Sequence, residues 1–140
     1  MSRMTFINLP VHDLGRAVAF YAAIGFDPSP EWCDGDAACL SIGPRLKLML
    51  LRRDRFADFV VGPVADPAAA TAAIVSLSAD SRAEVDAQVD RALAHGGRAW
   101  KEPVDAGPLY GRSFTDPDGH VWETLFLDVG RGPVQALPTP

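Results

Sequence analysis

Apolar positions over residues 4–11 fit a strand, and Pro10 near its end marks an edge or a bend. Leu14, Ala17, Val18, Tyr21 and Ile24 then recur at helical spacing. Asp13 stands where an N-cap belongs, and Gly25 where a helix stops. Residues 26–33 and 36–42 read as short strands around Asp34 and Gly35, a hairpin signal. Residues 46–51 are a further strand, entered through Gly43 and Pro44. The first half is therefore β-α-β-β-β. A connector follows, with a helical turn within 52–59 and a Pro- and Ala-rich stretch over 60–70.

The pattern then restarts. Residues 72–79 predict a strand, and Asp80 or Ser81 caps a helix whose stripe is Val85, Val89 and Leu93. Gly96 and Gly97 stop it. Residues 98–104 and 109–115 are strands, residues 116–119 a turn with Pro117 and Gly119 in turn positions, and residues 120–128 the last strand. The second half is again β-α-β-β-β, offset by about 67 residues, a repeat of pattern with little identity of letters. Three strands after each helix argue against an alternating parallel sheet. Each half-sheet has open edges, so the halves close on each other or on a partner chain, and a concave surface for small molecules results. The tail, 129–140, is rich in Pro and Gly and reads as loose or as hugging a partner.

Length, 140 residues, fits one domain with one core. A net charge of −5 argues against a nucleic-acid partner and suits solubility or a cationic small molecule. No apolar run approaches the ~20 residues of a membrane helix. Asn8, Pro10, His12 and Asp13 interrupt any signal-peptide core, and Cys33 and Cys39 read as free thiols in a reducing cytoplasm. Serine-hydrolase, P-loop and dinucleotide-binding motifs are missing.

Two segments carry a resemblance. NLPVHDL at 8–14 followed by AFYAAIGF at 19–26, and GRSFTDPDGHVWE at 111–123, resemble the opening and the closing of the vicinal oxygen chelate superfamily, the glyoxalase, bleomycin-resistance and extradiol-dioxygenase group. MLL at 49–51, LSADS at 77–81 and AHGG at 94–97 fall in order between them. The resemblance spans about residues 4–128 and implies an α+β fold. Two βαβββ modules, about 4–52 and 72–128, would form one domain with a cupped, mostly antiparallel eight-stranded sheet and helices on its outer face.

The resemblance also implies where a divalent ion would sit. Metal-dependent members hold it with His and Glu at four places, the first and last strand of each module. Carried across, these fall on Phe6, on Leu48 or Met49, on Ile74 and on Glu123. Only Glu123 is a donor, whereas catalytic zinc takes three protein ligands and hard cations take several oxygens. The expectation is no cofactor, with a divalent metal on other ligands as the alternative.

Glu123, beside Trp122 and Leu125, is the candidate general base. Tyr110, Arg112 and Phe114 share a strand face. If that face is the cup, Tyr110 and Arg112 orient a ligand; if it faces the helices, Phe114 is core and Arg112 snorkels. Phe6, Met49, Ile74, Tyr110, Arg112 and Trp32 make up the expected ligand pocket. His95 reads as a helix C-terminal cation. The functional expectation is a metal-free small-molecule-binding protein, a cytoplasmic homodimer. The alternative is a metal-dependent lyase acting on a glutathione-type adduct, or a dioxygenase, of the same superfamily.

Overall fold

In the computed structural model, which describes residues 2–129, the two modules form separate sheets that meet through their helices. The first module runs β1 (Thr5–Val11), α1 (Leu14–Ala23), β2 (Asp27–Pro28), β3 (Ala37–Gly43) and β4 (Leu46–Arg52). Its sheet order is β1-β4-β3-β2, with β1 parallel to β4 and the other pairs antiparallel. A short helix, α2 (Arg53–Ala57), opens the connector. The second module runs β5 (Ile74–Ala79), α3 (Arg82–Ala94), β6 (Arg98–Ala99), β7 (Val104–Ala106), β8 (Leu109–Thr115) and β9 (Val121–Leu127). Its order is β5-β9-β8-β6, with β7 also on β8 and only β5–β9 parallel. The α+β class and the βαβββ order of the first module are as the sequence implies, and the second module carries one strand more after its helix.

Local chemistry explains the helices. Asp13 accepts the Arg16 amide at 3.0 Å, and α1 ends at Gly25, whose φ of +104° is a left-handed conformation that favours glycine. Ser81, the second of the two expected caps, accepts the Glu84 amide at 3.1 Å, while Glu84 accepts the Asp80 amide at 2.7 Å. His95 closes α3.

The layering differs from a single eight-stranded sheet with helices outside. Within this chain the sheets have four and five strands, and α1 and α3 lie between them. Phe20, Tyr21 and Ile24 of α1, Val89 of α3, Leu48 and Leu50 of β4, Phe114 of β8 and Trp122 of β9 share one core. The aromatic contacts show the junction directly. Phe20 and Phe114 have ring centroids 6.2 Å apart, and Tyr21 and Phe26 each lie 5.5 Å from Trp122. The helix stripes thus bury against both sheets at once, which separate helix-covered sheets could not do.

Polar bonds lock the junction. Tyr21 donates to Asp116 Oδ2 at 2.6 Å and accepts from Trp122 Nε1 at 2.9 Å. Asp116 Oδ1 accepts the amides of Asp118, Gly119 and His120. His120 Nε2 donates to the Pro10 carbonyl at 2.8 Å, and Gln88 joins Thr124 to the end of α1 at Ile24.

Two predicted strands are shorter than expected. Residues 26–33 yield only β2, because Pro28 and Pro30 lack amide donors and the chain turns through a 3₁₀ helix at Pro30–Trp32. Residues 98–104 split into β6 and β7. The pairing with β8 slips by two residues between Ala99↔Phe114 and Val104↔Gly111, so residues 100–103 form a bulge. The tail over 130–140 lies outside the described residues.

Candidate functional site

Strand alternation fixes which residues look away from the core. Ile7, Leu9 and Val11 of β1 pack on the core, so Phe6, Asn8 and Pro10 face outward. Their β4 neighbours on that face are Lys47, Met49 and Leu51, and on β3 Ser41, Cys39 and Ala37. Lys47 Nζ donates to Ser41 Oγ at 3.1 Å on this face. Helix α2 and the residues after it cover one end, leaving a cavity of about 480 Å³ lined by Asn8, Met49, Leu51, Phe56 and Phe59.

The charged groups at its rim are already engaged. Arg55 pairs with Asp58 at 3.3 Å and lies 4.7 Å from the centroid of the Phe59 ring. Asp34 accepts the amides of Asp36 and Ala37 at 2.7 and 2.9 Å. The Asn8 side chain has no hydrogen bond among the described residues.

On the second sheet Val75 and Leu77 pack on the core, so Ile74 and Ser76 face outward. They pair with Val121 and Glu123 on β9, and Glu123 pairs with Ser113 on β8. Glu123 accepts Ser76 Oγ at 3.1 Å, and Lys101 Nζ lies 3.7 Å from its other oxygen. The bulge at 100–103 delivers Lys101, whose amide donates to Ser113 Oγ.

The pairing also settles the open register. Ile74 pairs with Val121, and Glu123 stands two residues beyond; Phe6 pairs with Lys47, and Met49 stands two residues beyond. Met49, not the fully buried Leu48, is the counterpart of Glu123. The positions that the resemblance implies, taken in the same register in both modules, are Phe6, Met49, Ile74 and Glu123, with a single carboxylate among them. Among the described residues no three His, Cys, Asp or Glu side chains converge as a metal requires. This donor set does not fit a divalent ion.

The structure sorts the expected pocket residues. Phe6 and Met49 share one outward face, and Ile74 and Glu123 share the other. Met49 lines the first-module cavity, and neither Ile74 nor Glu123 does. Tyr110 and Arg112 leave both groups, because they point to α3. Tyr110 donates to Asp86 at 2.6 Å, and Arg112 donates to Asp86 and Asp90 at 3.0 Å each. The Tyr110 hydrogen bond holds the Asp86 carboxyl below its usual range, and Asp86 raises the Tyr110 phenol. Phe114, on the same side, is core. Trp32 stands 67% exposed on the 3₁₀ turn, outside the cavity lining.

Asn8, Phe56, Ser76 and Lys101 are not among the site residues that the sequence pattern implies. Alternation with Phe6 could have found Asn8. Phe56 sits in a connector without periodicity, and Lys101 sits in what read as an ordinary strand.

Comparison places this geometry among known proteins. The chain matches the family model of the Glyoxalase/Bleomycin resistance protein/Dioxygenase superfamily over residues 3–124. No curated protein matches it. Among solved structures it is similar to the hypothetical protein SA1046 from S. aureus, with 26% identity, a TM-score of 0.76, and 90% of this chain and 94% of that one covered. A glyoxalase-related enzyme from Fulvimarina pelagi is 21% identical with a TM-score of 0.76, covering 99% of this chain and 100% of that one. The genomically encoded fosfomycin resistance protein FosX from Listeria monocytogenes is 19% identical with a TM-score of 0.67, covering 94% and 98%. No helix among the described residues is long and apolar enough to cross a membrane.

Proposed function

The chain belongs to the Glyoxalase/Bleomycin resistance protein/Dioxygenase superfamily, and we propose that it is a small-molecule-binding protein of the glyoxalase/bleomycin-resistance type that works without the usual metal. One observation carries the reading. The cavity of about 480 Å³ on the first-module face is apolar and aromatic where metal-dependent relatives would place donors. Met49 lines it, Phe6 lies on the same outward face but outside its lining, and a single unpartnered amide, Asn8, offers polar recognition. A concave, mostly apolar pocket with one or two polar groups is what a small uncharged ligand requires.

The reading includes a homodimer. Phe6 is 54% exposed on the first-module face, and Glu123 does not line the cavity on that face. A second copy can set its second-module face over the first. A reducing, cytoplasmic setting is consistent with the free thiols Cys33 and Cys39.

The test uses N-phenyl-1-naphthylamine, an uncharged apolar fluorophore, titrated with and without EDTA. The expected result is saturable binding that EDTA does not change and that Met49→Lys weakens at least tenfold without lowering Tm. Binding that needs a divalent ion, or that survives Met49→Lys, overturns the proposal.

The lyase alternative keeps a specific feature, Glu123 held by Ser76 and Lys101. Here Lys101, not Arg112, is the cation beside the proton acceptor. That reading requires Glu123→Gln to abolish turnover while the fold persists.

A further inference from the structure

Beside the first-module cavity lies a second one of about 230 Å³, at the junction between modules. Its walls are Leu9 and Pro10 of β1, Val75 of β5, Val121 and Trp122 of β9, and the connector at 64–73. The connector is held in place. Arg53 donates to the carbonyls of Val64 and Ala65 at 2.7 and 2.9 Å. Gly119, with φ +104°, packs so closely on Ala68 that a Cβ there would stand 2.8 Å from the Ala68 nitrogen. The two cavities share two lining residues, Asn8 and Phe56. Phe56 belongs to the five-residue α2, which packs on β1 and β4.

We propose that the junction cavity is an annex of the first-module ligand site, partitioned from it by Phe56, and that the ligand is an elongated uncharged molecule with a polar group at Asn8 and an apolar arm in the annex. This deepens the proposed function and rests on it. The arm is apolar because the annex is walled mainly by Ala, Val, Leu, Pro and Trp side chains. Its ring nitrogen engaged with Pro10, His120 adds little polarity. Each methylene buried there contributes about fourfold in affinity. An arm too short to pass Phe56 gains nothing from the annex.

Trp122 lines the annex and is 1% exposed, so it reports occupancy. The chain has three tryptophans, and a Trp32→Phe, Trp100→Phe background leaves Trp122 alone. The probes are ω-bromo-n-alkanols of increasing length, whose terminal bromine quenches an indole it touches. N-phenyl-1-naphthylamine displacement measures their affinity in parallel.

The expected result is displacement by all but the shortest alkanols, with Trp122 quenching only above a threshold length. Phe56→Ala should lower that threshold and tighten long alkanols about tenfold relative to short ones. Ala73→Phe, which fills the annex, should abolish quenching and leave short-chain affinity intact. Displacement without any Trp122 quenching, or a threshold unmoved by both variants, overturns the annex while the first-module site stands. Failure of the fluorophore itself to bind overturns both.

Discussion

Replacing Tyr21 with Phe tests the junction between modules with one oxygen atom. The hydroxyl is fully buried, donates to Asp116 at 2.6 Å and accepts from Trp122 at 2.9 Å. The ring itself stays, so packing on Phe20, Phe26 and Trp122 is retained. Two buried groups lose a partner. A hydrogen bond to a charged group contributes about 1.5–3 kcal/mol and an ordinary one about 1 kcal/mol, so the variant should lose about 3 kcal/mol. That is a large share of the ~5–15 kcal/mol of a domain this size.

Proton linkage adds a second signature. Burial already raises the Asp116 carboxyl, so folding makes its protonation easier than in the unfolded chain. Stability from this group therefore falls as pH rises from the unfolded value of about 4 through the raised native one. Losing the Tyr21 donor raises the native value further. The deficit of Tyr21→Phe should be largest at neutral pH and shrink as the solution is acidified through that window. Urea unfolding at a series of pH values, with unchanged m, measures it. A deficit under about 1 kcal/mol, or one independent of pH, would refute the reasoning.

Other variants read other parts of the structure. Arg112→Ala should lose about 1–2 kcal/mol by freeing Asp86 and Asp90, yet leave fluorophore affinity within about twofold, because it faces α3; equilibrium unfolding and titration check both. The depressed Asp86 carboxyl contributes stability above pH ~4 that is lost as pH falls through its native value, so Asp86→Asn should flatten that acid limb of the urea profile. Gly119→Ala meets both the positive φ and the Ala68 backbone, and a loss of about 1–3 kcal/mol should appear as a lower Tm. Glu123→Gln breaks a partly exposed ion pair and should change urea stability by under about 1 kcal/mol.

The modules were legible in sequence because each helix carries its own cap, stripe and stop: Asp13 to Gly25, and Ser81 to Gly96. Strand β8 emerged with its predicted bounds, since alternation and flanking turns coincide there. What sequence could not supply was the face of each strand relative to its neighbours. Tyr110 and Arg112 alternate equally well toward a cup or a helix, and only the carboxylates of α3 decide. The side on which the helices lie depends on a junction core of Tyr21, Phe26 and Trp122, contributed by segments about a hundred positions apart. Periodicity carries no such long-range information. Lys101 reached Glu123 through a two-residue slip, and Phe56 came to line both cavities from a connector with no repeating pattern.

The most direct measurement is amide chemical-shift mapping of the protein with N-phenyl-1-naphthylamine in the presence of EDTA. Saturable shifts centred on Asn8, Ala37, Met49, Leu51 and Phe56 are expected, the same with and without EDTA. Shifts confined to the α3 side around Tyr110 and Arg112, or shifts that appear only once a divalent ion is supplied, would contradict it.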